Sequence, residues 1–274
     1  MNVVSFGGGT NSTAMIIGMY MRKIDIDLIL FADPGAEQPH TYEFIETFNK
    51  WLKERNLPEI VTVHAVTKDG ERLTLEEECL NSGTLPSIAY GFKRCSLKHK
   101  ISPQEKYCNN LEACKKVWES GGRVNKYIGY DAGETRRVLH AAEIDKLDKK
   151  YEKHYPLYEW GWSREMCKEV IKSYGLPLPG KSSCFFCPSM KKKEIEDLWE
   201  NYPELFARAV AIEHNAAPNL QTVKGLGRSW SWEEYQAQAL ERKYWEAAQI
   251  SMFDELFPDS PGCLCGAPCG CYDG

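Results

Sequence analysis

No run of apolar residues in the 274-residue chain approaches the length of a membrane span, and Met1 leads straight into a strand-like segment, so no secretion signal is expected. Excess positive charge is also missing. Thirty-four Lys and Arg against 39 Asp and Glu give a formal charge of −5, which excludes a global attraction to nucleic acid or to an anionic membrane. Any polynucleotide contact then needs a local basic patch. Internal repeats and long low-complexity segments are lacking. The composition, 43% hydrophobic and 27% charged, instead describes a cytoplasmic globular protein able to bury a substantial core.

Cysteine is plentiful. Eleven cysteines without a secretion signal argue against a disulfide scaffold and for metal ligation, an iron–sulfur cluster or redox chemistry. Four of them, Cys263, Cys265, Cys269 and Cys271, fall in the last twelve residues with Gly and Pro turns between them. Such a tail can wrap a zinc ion as a second metal site, donate to a cluster, or shuttle a disulfide or persulfide. A structural metal knot is the expectation.

The chain is organised around its opening. An apolar segment containing Val3, Val4, Ser5 and Phe6 runs into Gly7-Gly8-Gly9, then Thr10-Asn11-Ser12 and a helical stretch over 12–21. Consecutive glycines let a ligand approach backbone N–H groups without a Cβ in the way, and the following helix points its positive end at the same spot. This pattern suits phosphate oxygens. A Walker A loop is excluded, because Thr10-Asn11 stands where Lys-Ser/Thr is needed, and the dinucleotide fingerprint lacks its third glycine.

Leu28-Ile29-Leu30-Phe31-Ala32 is a continuous apolar run suited to a strand buried on both faces. Strand, helix and strand at this spacing imply a parallel sheet, with ligands beyond the carboxyl ends of its strands. Asp33 falls on that rim, where it can bind a ribose hydroxyl or a metal, or cap the turn at Pro34-Gly35. A helix over 39–55 and a third strand over 60–66 follow, with His64 read as a packed core histidine. Within 93–103, Cys95 sits among Lys93, Arg94, Lys98, Lys100 and His99. Cationic neighbours favour the thiolate and would hold an anionic substrate; a solvated basic helix face is the plainer alternative.

Gly129 ends another strand and is followed by a loop carrying Arg136 and Arg137, whose forked guanidinium groups suit phosphate or sulfate oxygens. A capped helix is expected from Ser163. Cys184-Phe185-Phe186-Cys187 can bring two sulfurs to one metal ion or cluster, the strongest ligation signal in the body of the chain. Farther on, 194–214 reads as one helix packed on the main domain. The stretch 223–232, with Lys224, Arg228, Trp230 and Trp232, reads as packing anchors ahead of base stacking.

Two resemblances arise from these motifs. Gly7-Gly8-Gly9-Thr10-Asn11-Ser12 resembles the PP-loop, Ser-Gly-Gly-x-Asp-Ser, of the adenine-nucleotide ATP pyrophosphatase superfamily, with Gly7 for the first serine and Asn11 for the aspartate. Pro156-Leu157 with Trp160, Leu176-Pro177-Leu178 and Cys184-x-x-Cys187 together resemble the phosphoadenylyl-sulfate (PAPS) reductase family, whose cluster-bearing branch reduces adenylyl sulfate (APS). Arg94-Cys95 to Lys100 resembles that branch's Cys-Cys-x-x-Arg-Lys element with one cysteine absent. The chain is also similar to sulfur-inserting PP-loop enzymes.

The resemblance implies an α/β fold: a mostly parallel twisted sheet of about five strands with helices on both faces over residues 1–190. A helical extension over 191–258 and the Cys-rich tail over 259–274 would follow. It implies an ATP or related adenine-nucleotide site built from Ser5, Gly7, Gly8, Gly9, Thr10, Asn11, Ser12, Asp33, Gly129, Arg136 and Arg137, with magnesium as an accompanying ion. It further implies a 4Fe-4S cluster, or alternatively zinc, on Cys95, Cys184 and Cys187, with His99 or a tail cysteine as fourth ligand. The reductases' C-terminal Glu-Cys-Gly-Ile-His element is missing. Adenylation with pyrophosphate release in support of sulfur transfer to a nucleobase or similar acceptor is therefore expected ahead of APS or PAPS reduction. A nucleotide- and metal-binding module without turnover is the third reading. A sulfur donor or thiol reductant is an implied partner, no residue stands out for proton transfer, and the oligomeric state is open.

Overall fold

The computed structural model describes residues 1–256, with side chains through 248. It is an α/β protein built on one five-stranded, all-parallel sheet. The first half alternates β1 (Asn2–Phe6), α1 (Thr10–Met21), β2 (Leu28–Ala32), α2 (Pro39–Lys53), β3 (Ile60–Val63) and α3 (Leu75–Ser82). A short turn of helix, α4 (Arg94–Ser96), runs through a π-helical turn (Leu97–Ile101) into α5 (Ser102–Asn110), and α6 (Glu112–Glu119) precedes β4 (Val124–Ile128). Then come α7 (Thr135–Asp145), β5 (Tyr151–His154), α8 (Pro156–Glu159), α9 (Arg164–Ser173), α10 (Lys192–Asn201), α11 (Pro203–Ala216) and α12 (Trp232–Leu256).

The sheet order is β3-β2-β1-β4-β5. The chain therefore winds outward from β1 in one direction and, at β4, starts again on the other side. The crevice beyond the carboxyl ends of β1 and β4 is the topological switch point, where open α/β sheets bind ligands.

Both faces of the sheet are covered, which explains the unbroken apolar run of β2. Val4, Phe6, Ile29 and Phe31 pack with Phe44, Phe48 and Trp51 of α2 and with Cys167 and Ile171 of α9. Val3, Leu28, Leu30 and Val124 point to the opposite side, against Cys108 and Cys114 on α5 and α6. Strand alternation assigns neighbouring residues to opposite layers. A further core joins the C-terminal helices to the cysteine turn: Phe185, Phe186, Leu198, Trp199, Phe206, Ile212 and Trp232 are buried together with Leu75 and Cys79 of α3.

Three local readings are corrected. The third strand ends at Val63, so His64 lies just past it, with Nδ1 3.3 Å from the Asp33 carbonyl oxygen instead of in mid-strand. The stretch 194–214 is two helices, because Pro203 starts α11 and has no N–H with which to continue α10. The N-cap of α1 is Gly9, so the helix begins two residues before the expected 12. Ser163 does cap α9, accepting a hydrogen bond from the Met166 N–H. No helix among the described residues is long and apolar enough to cross a membrane. The tail bearing Cys263, Cys265, Cys269 and Cys271 lies outside the described residues.

One surface carboxylate gives the fold a measurable acid sensitivity. Burial works to raise the pKa of Asp148, but the N–H groups of Tyr151 and Lys150, together with the Lys153 ammonium, outweigh it and hold it below its ordinary 3.8. A carboxyl lowered by folding contributes stability that is present above its unfolded pKa and is lost as pH falls through the folded one. Unfolding free energies measured between pH 5 and pH 2 are expected to fall less steeply in Asp148→Asn than in the unsubstituted protein. Equal slopes would contradict the assignment.

Candidate functional site

The glycine loop sits at the mouth of the switch point. Gly8 has φ +72°, and a Cβ on it would lie 2.8 Å from Thr41 Cγ2. Ser12 Oγ accepts from the Gly7 N–H at 3.2 Å and lies 3.1 Å from the Gly9 carbonyl oxygen, folding the loop back over the start of α1. No side chain caps that helix end, so its first N–H groups face the crevice. Gly129, at the end of β4, presses against the same place: a Cβ there would stand 3.0 Å from the Ser12 nitrogen and 3.1 Å from the Asn11 carbonyl carbon. Ser5 lies beneath the loop, its hydroxyl donating to Gln104 Oε1 at 2.8 Å.

Asn11 departs from the PP-loop aspartate for a reason visible in its neighbours. Its amide donates to Asp131 Oδ2 at 2.9 Å and Glu134 Oε2 at 3.2 Å, and its carbonyl oxygen is 3.4 Å from Arg164. A carboxylate at this position would face two others. The amide turns that repulsion into two hydrogen bonds and leaves the acid function at the rim to Asp131 and Glu134. Arg137 pairs with Glu134 and lies 4.2 Å over the Tyr130 ring, so its guanidinium is already committed. Arg136 is exposed in the first turn of α7.

Asp33 acts as a turn anchor. It is buried; Oδ1 accepts from the Gly35 N–H at 2.7 Å and the Tyr42 hydroxyl at 2.9 Å, and Oδ2 meets Arg72 at 2.9 Å. Burial and the Asp33 charge push the Tyr42 hydroxyl pKa up, which keeps it a donor.

Cys95, Cys184 and Cys187 border one core on the β2 side of the loop. Cys184 bridges to Glu37, the Phe185 N–H donates to the Ala36 carbonyl at 2.9 Å, and the Cys187 N–H closes onto the Cys184 carbonyl at 3.0 Å. Phe185 and Phe186 are buried and anchor this turn. Cys95 is held by its N–H to Ser87 Oγ at 2.9 Å and packs against the same core as Cys184 and Cys187. Burial raises the Cys184 pKa well above its usual value, with Glu37, Cys187 and Cys95 adding and Lys100 opposing. The cations around Cys95 divide their attention: Lys98 pairs with Glu78 at 2.8 Å and Lys100 with Glu37 at 2.7 Å.

Glu37 also ties the two halves of the site together. Ser182 Oγ lies 3.1 Å from Glu37 Oε2 and 2.5 Å from the Gly7 carbonyl oxygen. Ser182, whose single hydroxyl proton goes either to the Gly7 carbonyl or to Glu37, thus stands between the loop and the Glu37–Lys100 pair, and the backbone of Glu37 bridges to that of Cys184. Glu37, Ser182, Asp131 and Glu134 were not singled out from the sequence. The last two stand in a loop whose arginines drew attention. Nothing local marks Glu37 and Ser182, which meet through the pairing of 36–38 with 183–185.

Cys95, Cys184 and Cys187 are the thiols that border one core. Among the described residues no three or more His, Cys, Asp or Glu side chains converge on one ion position. His99 is buried, with Nε2 2.5 Å from Glu78 Oε2 and Nδ1 without a hydrogen-bond partner.

Thiol reactivity follows the burial pattern. In chelator-treated folded protein at pH 8, half-buried Cys95 is expected to be alkylated at least tenfold faster than Cys79, Cys114 and Cys167, which burial pushes up to about 12. Peptide mapping of the alkylated sites checks the order, and equal rates would contradict it.

Fold and contacts together define an α/β protein whose glycine loop at the end of β1 lies beside the turn that carries Cys184 and Cys187. No family model matches the chain, and no curated protein matches it. Among solved structures it is similar to the U34-tRNA thiolase NcsA from Methanococcus maripaludis with its 4Fe-4S cluster, at 14% identity and a TM-score of 0.42, over 81% of this chain and 73% of that one. A likeness of that degree carries no inference about what this chain binds or does.

Proposed function

We propose that the chain is an adenine-nucleotide-dependent enzyme that adenylates a substrate oxygen, releases pyrophosphate and supports sulfur transfer to a nucleobase or similar acceptor. The observation that carries this reading is the position of Ser182 between the anion loop and the Glu37–Lys100 pair, beside the turn holding Cys184. The loop amides and the α1 terminus would stabilise charge on the departing phosphates, magnesium accompanying them. The substrate oxygen would bond to the α-phosphorus as its bond to the pyrophosphate oxygen breaks. Attack on the activated carbon by sulfide, or by the outer sulfur of a persulfide whose S–S bond a thiol reductant then cleaves with formation of a disulfide, would expel AMP. Cys95, Cys184 and Cys187 would hold a 4Fe-4S cluster, which supplies iron able to carry sulfur.

A polynucleotide acceptor is supported by a local surface on a chain of net charge −5. Lys93 and Arg94 are exposed beside Cys95, Phe92 is 63% exposed, and Arg228 reaches the Ile88 carbonyl oxygen at 3.2 Å to border the same segment. Cations with a free aromatic ring suit a phosphate backbone and a stacked base. Trp232, by contrast, is 1% exposed and serves packing.

Anaerobically purified protein incubated with ATP and RNA, and separately with APS, tests the reading. Pyrophosphate release with AMP supports it. Sulfite from APS would replace it with sulfonucleotide reduction, and nucleotide binding without product in either assay, with the cluster intact, would leave a binding module.

A further inference from the structure

One side chain lies along the whole glycine loop. Ser182 Oγ is 2.5 Å from the Gly7 carbonyl oxygen and 3.8 Å from where a Cβ on Gly8 would stand, and Ser182 Cβ is 3.7 Å from the same position on Gly9. The backbone of Ser182 is fixed from the other side. The antiparallel bridge of Cys184 to Glu37 lies two residues on, the Gln38 N–H donates to the Ser183 carbonyl at 3.2 Å, and the Phe185 N–H donates to the Ala36 carbonyl at 2.9 Å. A Cβ on Gly180 would meet the His40 ring at 2.3 Å, so the segment before Ser182 is also packed closely on α2.

The Ser182 hydroxyl has one proton and two acceptors, the Gly7 carbonyl at 2.5 Å and Glu37 Oε2 at 3.1 Å. Hydrogen bonds between a hydroxyl and an oxygen span about 2.5–3.0 Å, and two oxygens at the short end of that range repel unless a proton lies between them. The proton therefore goes to Gly7. Glu37 keeps a donor of its own, because Lys100 meets its Oε1 at 2.7 Å.

Holding that carbonyl orients the peptide. In a planar trans peptide the C=O and the following N–H point in opposite directions, so a Gly7 carbonyl turned to Ser182 turns the Gly8 N–H away from it. The Gly9 carbonyl is held too, accepting from the Thr13 N–H at 3.1 Å and the Thr13 hydroxyl at 3.0 Å. Among the described residues no hydrogen bond engages the Gly8 or Gly9 N–H. A peptide between two glycines has no Cβ on either side to resist its rotation. Left unrestrained, it would present its carbonyl oxygen, the wrong end of the dipole, to an anion.

We propose that Ser182 is a positioning residue for the nucleotide site: its hydroxyl holds the Gly7-Gly8 peptide with the N–H available to a phosphate oxygen. The inference rests on the nucleotide reading above and deepens it, because it makes phosphate affinity depend on the segment that leads into Cys184 and Cys187.

Titration calorimetry on the full chain with ATP and with inorganic pyrophosphate tests the role. Ser182→Ala is expected to weaken both by about three- to tenfold, the range that losing one hydrogen bond implies. Ser183→Ala removes a buried hydroxyl that has no partner, and should bind both as the unsubstituted protein does. In protein labelled with 15N-glycine, the Gly8 amide resonance, identified by its loss in Gly8→Ala, should move on addition of pyrophosphate, and the movement should shrink in Ser182→Ala. Undiminished affinity in Ser182→Ala, or a Gly8 amide that ignores pyrophosphate while the ligand binds, would overturn the role of Ser182 and leave the nucleotide reading standing. Failure of the unsubstituted protein to bind either ligand would overturn the reading and the inference together. The amide measurement on the unsubstituted chain decides even where Ser182→Ala does not fold.

Discussion

Gly8→Ala is expected to weaken adenine-nucleotide binding by about 5–30-fold while the sheet stays folded. Gly8 has φ +72°, where an L-residue is disfavoured by about 1–2 kcal/mol, and a new methyl would stand 2.8 Å from Thr41 Cγ2 and 3.6 Å from Phe31. The unliganded loop relieves both by shifting, and binding must then restore the strained form, so the strain appears as lost affinity at about 1.4 kcal/mol per tenfold. Gly70→Ala is the control. Gly70 also has positive φ, at +88°, but nothing lies within 4 Å of its Cβ position. It should lower the melting temperature slightly and leave affinity alone. Titration calorimetry with ATP on both variants reads the difference, and unchanged affinity in Gly8→Ala would remove the loop from the nucleotide site.

The largest loss of stability is expected from Lys100→Met. The Glu37 side chain is 0% exposed, and its Oε1 meets Lys100 at 2.7 Å. Taking the lysine away leaves a buried carboxylate whose remaining polar neighbour is the Ser182 hydroxyl, 3.1 Å away. Breaking a buried ion pair from one side costs about 3–5 kcal/mol. The lysine side chain is still 37% exposed, so the lower end applies. For a chain of this size about 3 kcal/mol corresponds to a fall in melting temperature of roughly 6–12 °C. The double variant Lys100→Met with Glu37→Gln should recover more than half of that loss, because it removes the charge that was left unpaired. Thermal unfolding of the single and double variants measures both, and a double variant as unstable as Lys100→Met would show that packing, not charge, holds the two segments together.

Which features were legible in the sequence follows from the range of the interactions. The glycine loop, the doubly buried β2 and the capped start of α9 each depend on residues within a few positions: a missing Cβ, an unbroken apolar run, a serine before a helix. The same local reasoning gave no account of Asn11 in place of the PP-loop aspartate, because Asp131 and Glu134 stand more than a hundred residues away. It left Asp33 between a ligand and a cap on the Pro34-Gly35 turn, since neither Arg72 nor Tyr42 is recognisable as its partner until the turn closes.

By itself, the sequence determined the parallel α/β class, the presence of an anion-suited turn at its first strand end, and the residue types able to ligate metal, because periodicity, glycine and thiol chemistry are properties of short stretches. Tertiary structure alone decided that Gly129 abuts the start of α1, that Ser182 and Glu37 connect the loop to Cys184, and that Cys95, Cys184 and Cys187 share one region. Those relations come from strand order and from the pairing of 36–38 with 183–185, and they are set by how the whole core packs, which no short stretch encodes.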